Sequence, residues 1–209
     1  MKRKFGLRLM AVGAMLISAA VVLLIFNTRQ DEVAGSTASA QLEVLVEQIS
    51  HQETFPEATE SNIILQILPD EVISEVDKSM HEIILDGYAY IGYLSIPALN
   101  LDLPVMSDWS ESQLQKAPCR YTGTLLGNDL VIMAHNYGKH FGTIGKLQPG
   151  DAVIFTDVDG KTTSYEVVLQ EILQPTEVDA MVSGVFDLTL FTCTYGGQTR
   201  ITVRCNKTD

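Results

Sequence analysis

The chain opens on an uninterrupted apolar run, Leu9 to Thr28, with Lys2, Arg3, Lys4 and Arg8 before it and Arg29 after it. At about 1.5 Å per helical residue this run matches the ~30 Å hydrocarbon thickness of a bilayer, so it predicts a membrane-spanning helix over 9–28. The basic cluster predicts a cytoplasmic tail over 1–8 and a single pass that leaves everything after Arg29 outside the cell. The alternative is a cleaved signal peptide, which needs a shorter apolar core and a small-residue site close behind it. Ala38-Ser39-Ala40 is the one candidate for that site and stands well beyond Phe26. An uncleaved anchor fits better.

Past the anchor the pattern weakens. Residues 31–40 (DEVAGSTASA) are small and polar and predict a flexible exit from the membrane. Leu42, Val44, Leu45, Val46 and Ile49 then give a short, partly amphipathic helical pattern. Residues 51–62 turn polar, 63–68 are apolar and end at Pro69, and 70–84 again has helical character. Residues 29–86 therefore read as an extracellular stalk with some helix. The apolar stretch 63–68 raises the further idea of a stalk folding back over the domain that follows.

From Gly87 onward the period changes from helical to alternating. Tyr88–Ile96 and Leu101–Met106 read as strands, Glu111–Lys116 as one or two helical turns, and Asp129–Ala134 as a strand buried on both faces. Ala152–Thr156 and Thr163–Leu169 flank Asp157-Val158-Asp159-Gly160 and predict a hairpin. Leu188–Thr192 and Thr199–Arg204 close the set. Seven or eight short strands with few helices predict an all-β domain over 87–209, built as a closed or nearly closed barrel.

Charge sharpens this division. Residues 1–30 carry five basic and no acidic groups, residues 31–86 thirteen acidic groups against Lys78 alone, and residues 87–209 thirteen acidic against eight basic. The acidity belongs to the stalk. With no basic stripe on the C-terminal domain, nucleic acid is not an expected partner.

Three cysteines, Cys119, Cys193 and Cys205, are an odd number for an exported protein, so at least one is a free thiol or pairs between chains. No C-x-x-C spacing or His/Cys cluster points to zinc. Cys193 ends an apolar strand, His135 follows another, and Arg200 opens the strand after Cys193. A thiol, an imidazole and a cation at strand ends are what nucleophilic acyl transfer requires: a thiolate to attack, a base to handle the leaving-group proton, and a donor to hold an oxyanion. Each residue also has a plain reading, as a small buried thiol, a surface histidine and a solvent-facing arginine. His140 and Arg204 compete for the second and third roles. His135 is preferred because it directly follows the strand, and Arg200 because of its spacing from Cys193.

Several segments carry a family resemblance. Thr189-Leu190-Phe191-Thr192-Cys193 resembles the TLxTC signature of the sortases, and Arg200 sits where that family keeps its arginine. Leu130 to Asn136 is similar to the sortase strand ending in Gly-His, with Ala134 in place of the glycine. Ile96-Pro97-Ala98-Leu99, Leu103-Pro104-Val105, Tyr121-Thr122-Gly123-Thr124, Phe141-Gly142, Leu147 and Gly150-Asp151 extend the likeness, in order, over about 87–205. The resemblance implies an eight-stranded barrel and a membrane-bound cysteine transpeptidase of Gram-positive-type envelopes. Cys193 would attack a backbone carbonyl in the C-terminal sorting signal of a secreted protein. His135 would protonate the departing amine, Arg200 would hold the carbonyl or its oxyanion, and Thr192 would support the substrate site. An amine of a peptidoglycan precursor or of a pilin lysine would release the thioester, with no metal or other cofactor in the chemistry. Asp108-Trp109 is a candidate for shaping the mouth of the site; a packing role is the plain alternative, and the parts of Asn136 and Tyr137 stay open. Cys119 reads as structural, and a disulfide with Cys205 is open. The lack of an apolar segment after Arg204 argues against the usual pilin-polymerising type, and the stretch 170–188 is too short for a large inserted helix.

Two other functions compete. A cysteine peptidase shares the first half-reaction but lets water resolve the thioester. A non-catalytic β-barrel binding module would use Cys193 only for packing. An L,D-transpeptidase is disfavoured because its Ser-His-Gly-Cys cluster is absent.

Overall fold

The computed structural model describes residues 2–52 and 80–208; the apolar stretch 63–68 and most of the helical stretch 70–84 lie outside the described residues.

Helix α1 (Lys2–Gln52) runs unbroken for 51 residues, about 77 Å. Its apolar part, including Leu16, Val22, Leu24 and Phe26, is exposed along its length, as suits a candidate membrane anchor. The expected flexible exit at 31–40 is helical instead. The reason is tertiary: Ala34, Ala38, Leu45 and Ile49 lie on one face and are buried against the domain that follows. Burial of that face offsets the weak helix propensity of Gly35, Ser36 and Thr37.

Among the described residues nine strands follow: β1 (Ile83–Leu85), β2 (Tyr88–Ile96), β3 (Leu101–Met106), β4 (Cys119–Thr122), β5 (Leu130–Met133), β6 (Ala152–Asp157), β7 (Thr162–Leu173), β8 (Leu188–Cys193) and β9 (Arg200–Lys207). Two short helices are inserted, α2 (Glu111–Leu114) and α3 (Val178–Met181). The strand order is β1-β2-β3-β4-β5-β8-β9-β7-β6, and β6 pairs back onto β2. That last pairing closes β2 to β9 into an eight-stranded barrel, with β1 added outside the ring on β2. The all-β barrel expected from the pattern is therefore present. Ile83 and Ile84, expected as the end of a helix, belong instead to strand β1, antiparallel to β2; pairing with β2 decides the conformation of a segment too short to carry its own period.

Closure puts β2 between two partners. It pairs with β3 over Tyr90–Ile96 and with β6 over Gly92–Ser95, and a register shift falls between Tyr90 and Gly92. Gly92 has φ +144°, and a Cβ there would meet the Thr156 carbonyl oxygen at 2.1 Å. Only glycine fits this approach, and the bulge turns both Ile91 and Leu94 into the interior. The β6–β7 hairpin turns at Asp157–Gly160, where the Gly160 amide donates to the Asp157 carbonyl at 3.1 Å.

The barrel interior is filled by Leu94, Ile96, Val105, Ile132, Phe155, Val167, Leu190, Val203 and Cys205, among others. Outside the wall, Leu45 and Ile49 of α1 join Ile83, Tyr90, Met106, Leu114 and Cys119 in a second cluster. A third, Val131, Leu173, Met181 and Phe191, lies on the outer face of β5, β7 and β8. All three cysteines are free. Cys119 and Cys205 sit in different clusters, on opposite sides of the barrel wall, so the open question of their disulfide is answered in the negative.

Candidate active site

Three neighbouring strands bring the candidate residues together. Strands β5 and β8 are parallel, with Met133 level with Phe191, and the Ala134 amide donates to the Phe191 carbonyl at 3.2 Å. Two residues further along each chain lie His135, just past the end of β5, and Cys193, the last residue of β8. On the other side β9 runs antiparallel to β8, and Arg200 is the direct partner of Cys193. Alternation sends Phe191, Cys193, Arg200 and Thr202 to the outer face, while Ile201, Val203 and Cys205 face the core.

His135, Phe191, Cys193 and Arg200 line one cavity of about 340 Å³, together with Trp109, Glu111, Tyr121, Met133, Val178 and Met181. Tyr121 stands edge-on to Phe191, their ring centroids 5.4 Å apart, and Trp109 leans on Tyr121 at 6.1 Å. Much of the lining is thus apolar, and Cys193, His135 and Arg200 are among its polar members. Trp109 stands in its lining, and Asp108 is exposed beside Arg120.

Among the three thiols, Cys193 alone is partly exposed. Burial pushes Cys119 and Cys205 up to about 12, which keeps both as inert neutral thiols. His135 lines the cavity, with its Nε2 3.5 Å from a carboxylate oxygen of Glu111. Glu111 begins α2, whose N-cap Ser110 accepts from the Gln113 amide. The Ser110 hydroxyl accepts from the Gln113 amide at 3.2 Å and donates to the Gln113 side-chain oxygen at 2.7 Å, which caps this short helix. Nothing in a lone glutamate between Ser110 and Ser112 announces proximity to His135. That contact was missed because it depends on the β3–β4 connection folding over the end of β5.

His140, the competing histidine, is fully buried outside the cavity. Burial lowers its pKa to about 4, while backbone groups of Ala34 and Lys116 oppose the shift more weakly. Neither of its ring nitrogens has a hydrogen-bond partner of good geometry among the described residues. Tyr137 lies between the two imidazoles, its ring centroid 4.9 Å from His135 and 5.5 Å from His140. The turn that carries them is tight: a Cβ on Gly142 would meet the Asn136 carbonyl oxygen at 2.5 Å.

Arg200 and Arg204 separate by environment. Arg200 lines the cavity, its Nη1 donating to the carbonyls of Gly197 and Thr199 at 3.0 and 3.1 Å. Arg204 is buried under α3. It donates to Glu171 at 2.8 Å, to the carbonyls of Ala180 and Met181 at 2.7 and 2.9 Å, and to the Thr189 hydroxyl at 2.9 Å. It ties α3, which supplies Val178 and Met181 to the cavity, to the barrel wall. Thr192 is buried, and its hydroxyl donates to the Ala134 carbonyl at 2.8 Å. It thereby joins β8 to β5 directly beneath Cys193 and His135. Among the described residues no group of three His, Cys, Asp or Glu side chains could hold a metal ion.

A closed eight-stranded barrel with a partly exposed thiol, an imidazole and a guanidinium at adjacent strand ends has the make-up of a cysteine acyltransferase. The family model of the sortase domain matches residues 94–208, more than half of the chain. This chain belongs to the sortase family, whose members are cysteine transpeptidases. Among solved structures, a pilus-related sortase C of group B Streptococcus is similar at 27% identity and a TM-score of 0.52, covering 57% of this chain and 68% of that one. Sortase C from Clostridium perfringens SM101 is 25% identical with a TM-score of 0.55, covering 83% of this chain and 99% of that one. A Clostridium perfringens sortase D5 transpeptidase shares the fold at 17% identity and a TM-score of 0.57, over 83% of this chain and 99% of that one. No curated protein matches. These likenesses span sortase C and sortase D structures and are likenesses of the barrel.

Proposed function

We propose that the chain is a membrane-anchored transpeptidase in which Cys193, His135 and Arg200 carry the chemistry. The observation that supports this best is their shared position at the ends of β5, β8 and β9, opening into one cavity. In the first half-reaction the Cys193 thiolate attacks a backbone carbonyl of the sorting signal, and Arg200 stabilises the oxyanion. The carbon–nitrogen bond then breaks, His135 gives its proton to the departing amine, and a thioester remains on Cys193. In the second half-reaction an acceptor amine, of the cell wall or of another protein, gives up a proton to His135 and displaces the thiolate. Thr192 acts as a brace between the two catalytic strand ends. The apolar part of the cavity receives side chains of the sorting signal.

On this reading residues 1–8 are cytoplasmic, 9–28 cross the membrane, 29–86 connect, and 87–209 form the catalytic domain outside the cell. The test is product analysis with a pool of sorting-signal-like peptides and a glycine-rich or diamino acceptor. Amine-ligated product from the wild type, absent from Cys193→Ala, His135→Ala and Arg200→Ala, is the expected result. Hydrolysis alone, with every acceptor tried, would move the assignment to a cysteine peptidase.

A further inference from the structure

The outer part of α1 does more than tether the barrel. Three residues past the end of the apolar run, the Asp31 carboxylate accepts a hydrogen bond from the Lys139 amide at 3.1 Å, across 108 residues of sequence. One turn further, a Cβ on Gly35 would meet Cγ and Cβ of Lys139 at 2.7 and 2.9 Å, so the absence of a side chain there lets the loop sit against the helix. From the other side, a Cβ on Gly138 would reach Asp31 Oδ2 at 3.0 Å. Ala34 is 3% exposed and Ala38 1% exposed, and Ala38 belongs to the same core cluster as Phe141.

The loop held in this way is the one that carries His135. Its backbone is fastened internally, the Phe141 amide donating to the His135 carbonyl at 3.1 Å and the Gly142 amide to the Tyr137 carbonyl at 2.8 Å. The three rings of His135, Tyr137 and His140 stand in sequence between the cavity and the α1 face. A displacement of the loop away from α1 would therefore be passed through packed rings to His135.

We propose that residues 31–38 of α1 form a wall of the catalytic domain, and that Asp31 is a positioning residue which holds the 135–141 loop and, through it, the His135 imidazole. The significance for His135 rests on its reading as the catalytic acid; the clamp itself does not. The role asked of Asp31 is that of a hydrogen-bond acceptor, which an asparagine can also fill, whereas alanine cannot.

The experiment uses the full chain in detergent micelles, as wild type, Asp31→Ala, Asp31→Asn, Cys193→Ala and the exposed control Ser36→Ala. Amide hydrogen exchange over 136–141 is measured beside steady-state transpeptidation. Asp31→Ala is expected to speed exchange at Lys139 by about fivefold, the worth of one ordinary hydrogen bond. It is also expected to lower kcat several-fold at unchanged KM, with Asp31→Asn and Ser36→Ala close to wild type in both readouts. Unchanged exchange in Asp31→Ala would overturn the clamp, whatever the activity. Equal loss in Asp31→Ala and Asp31→Asn would overturn the acceptor role. If Cys193→Ala kept wild-type activity the transpeptidase reading would fall, and the exchange data would still judge the clamp.

Discussion

At the scale of single residues the candidate site is a matter of exposure. The chain has three thiols, and burial leaves Cys193 as the one that a substrate can reach. Among the histidines, His135 opens on the cavity while His140 is sealed beneath it. Glu111 is the unforeseen neighbour. Its carboxylate is largely exposed, and an exposed ion pair contributes under about 1 kcal/mol. Glu111→Gln is accordingly expected to lower kcat by less than about fivefold, against about a hundredfold or more for His135→Ala; steady-state rates on one peptide compare the two directly. That Cys193 and His135 stand at strand ends was legible in the sequence, because a strand end is marked by where an apolar run stops. The Glu111 contact was not legible, because no local period records which loop covers which strand.

At the scale of elements, α3 and the 135–141 loop are the two pieces that shape the cavity without belonging to the barrel. Arg204 holds α3 through four hydrogen bonds, to Glu171, Ala180, Met181 and Thr189, all from one buried guanidinium. Arg204→Met is expected to destabilise the domain by about 3 kcal/mol, since it strands Glu171 and two carbonyls; urea denaturation measures it. The pattern placed Arg204 on the face of Arg200 but could not tell a buried anchor from a substrate ligand, because both alternate alike. The loop has its own signature in pH. His140 is neutral when folded, with a pKa of about 4 against 6.5 for the free side chain. Between those values the unfolded chain binds the extra proton, so stability is full above about pH 6.5 and is lost as pH falls toward 4. Melting temperatures at pH 7 and pH 4.5 should diverge for the wild type, and His140→Gln should narrow the gap.

For the whole molecule, the continuity of α1 is the main departure from the sequence reading. Gly, Ser and Thr at 35–37 spoke for a flexible exit, yet the helix persists because its Ala34–Ile49 face is buried on the barrel. Seven of the eight barrel strands were readable from alternation, a local property, although β7 runs on to Leu173 and β9 to Lys207, and the short β4 was not foreseen. The closing β2–β6 pair, strand β1 and the docking of α1 are long-range pairings that periodicity does not encode. With about 5 Å of helix between Thr28 and Asp31, the His135 loop is held close to the end of the apolar run. Trp109, the sole tryptophan, lines the cavity and gives a built-in reporter. In vesicles with dansyl-labelled headgroups, energy transfer from Trp109 should be strong in the full chain. It should fall when a flexible Gly-Ser linker is inserted between Thr28 and Asp31.

The central claim is that Cys193 forms a covalent acyl intermediate. Its most direct test is the intact mass of the chain after exposure to the peptide pool without any acceptor amine, followed by digestion to locate the added mass. The account predicts an adduct equal to the N-terminal part of a cleaved peptide, placed on Cys193, discharged by an added amine and absent from Cys193→Ala. An adduct on another residue, or cleavage that persists in Cys193→Ala, would contradict it.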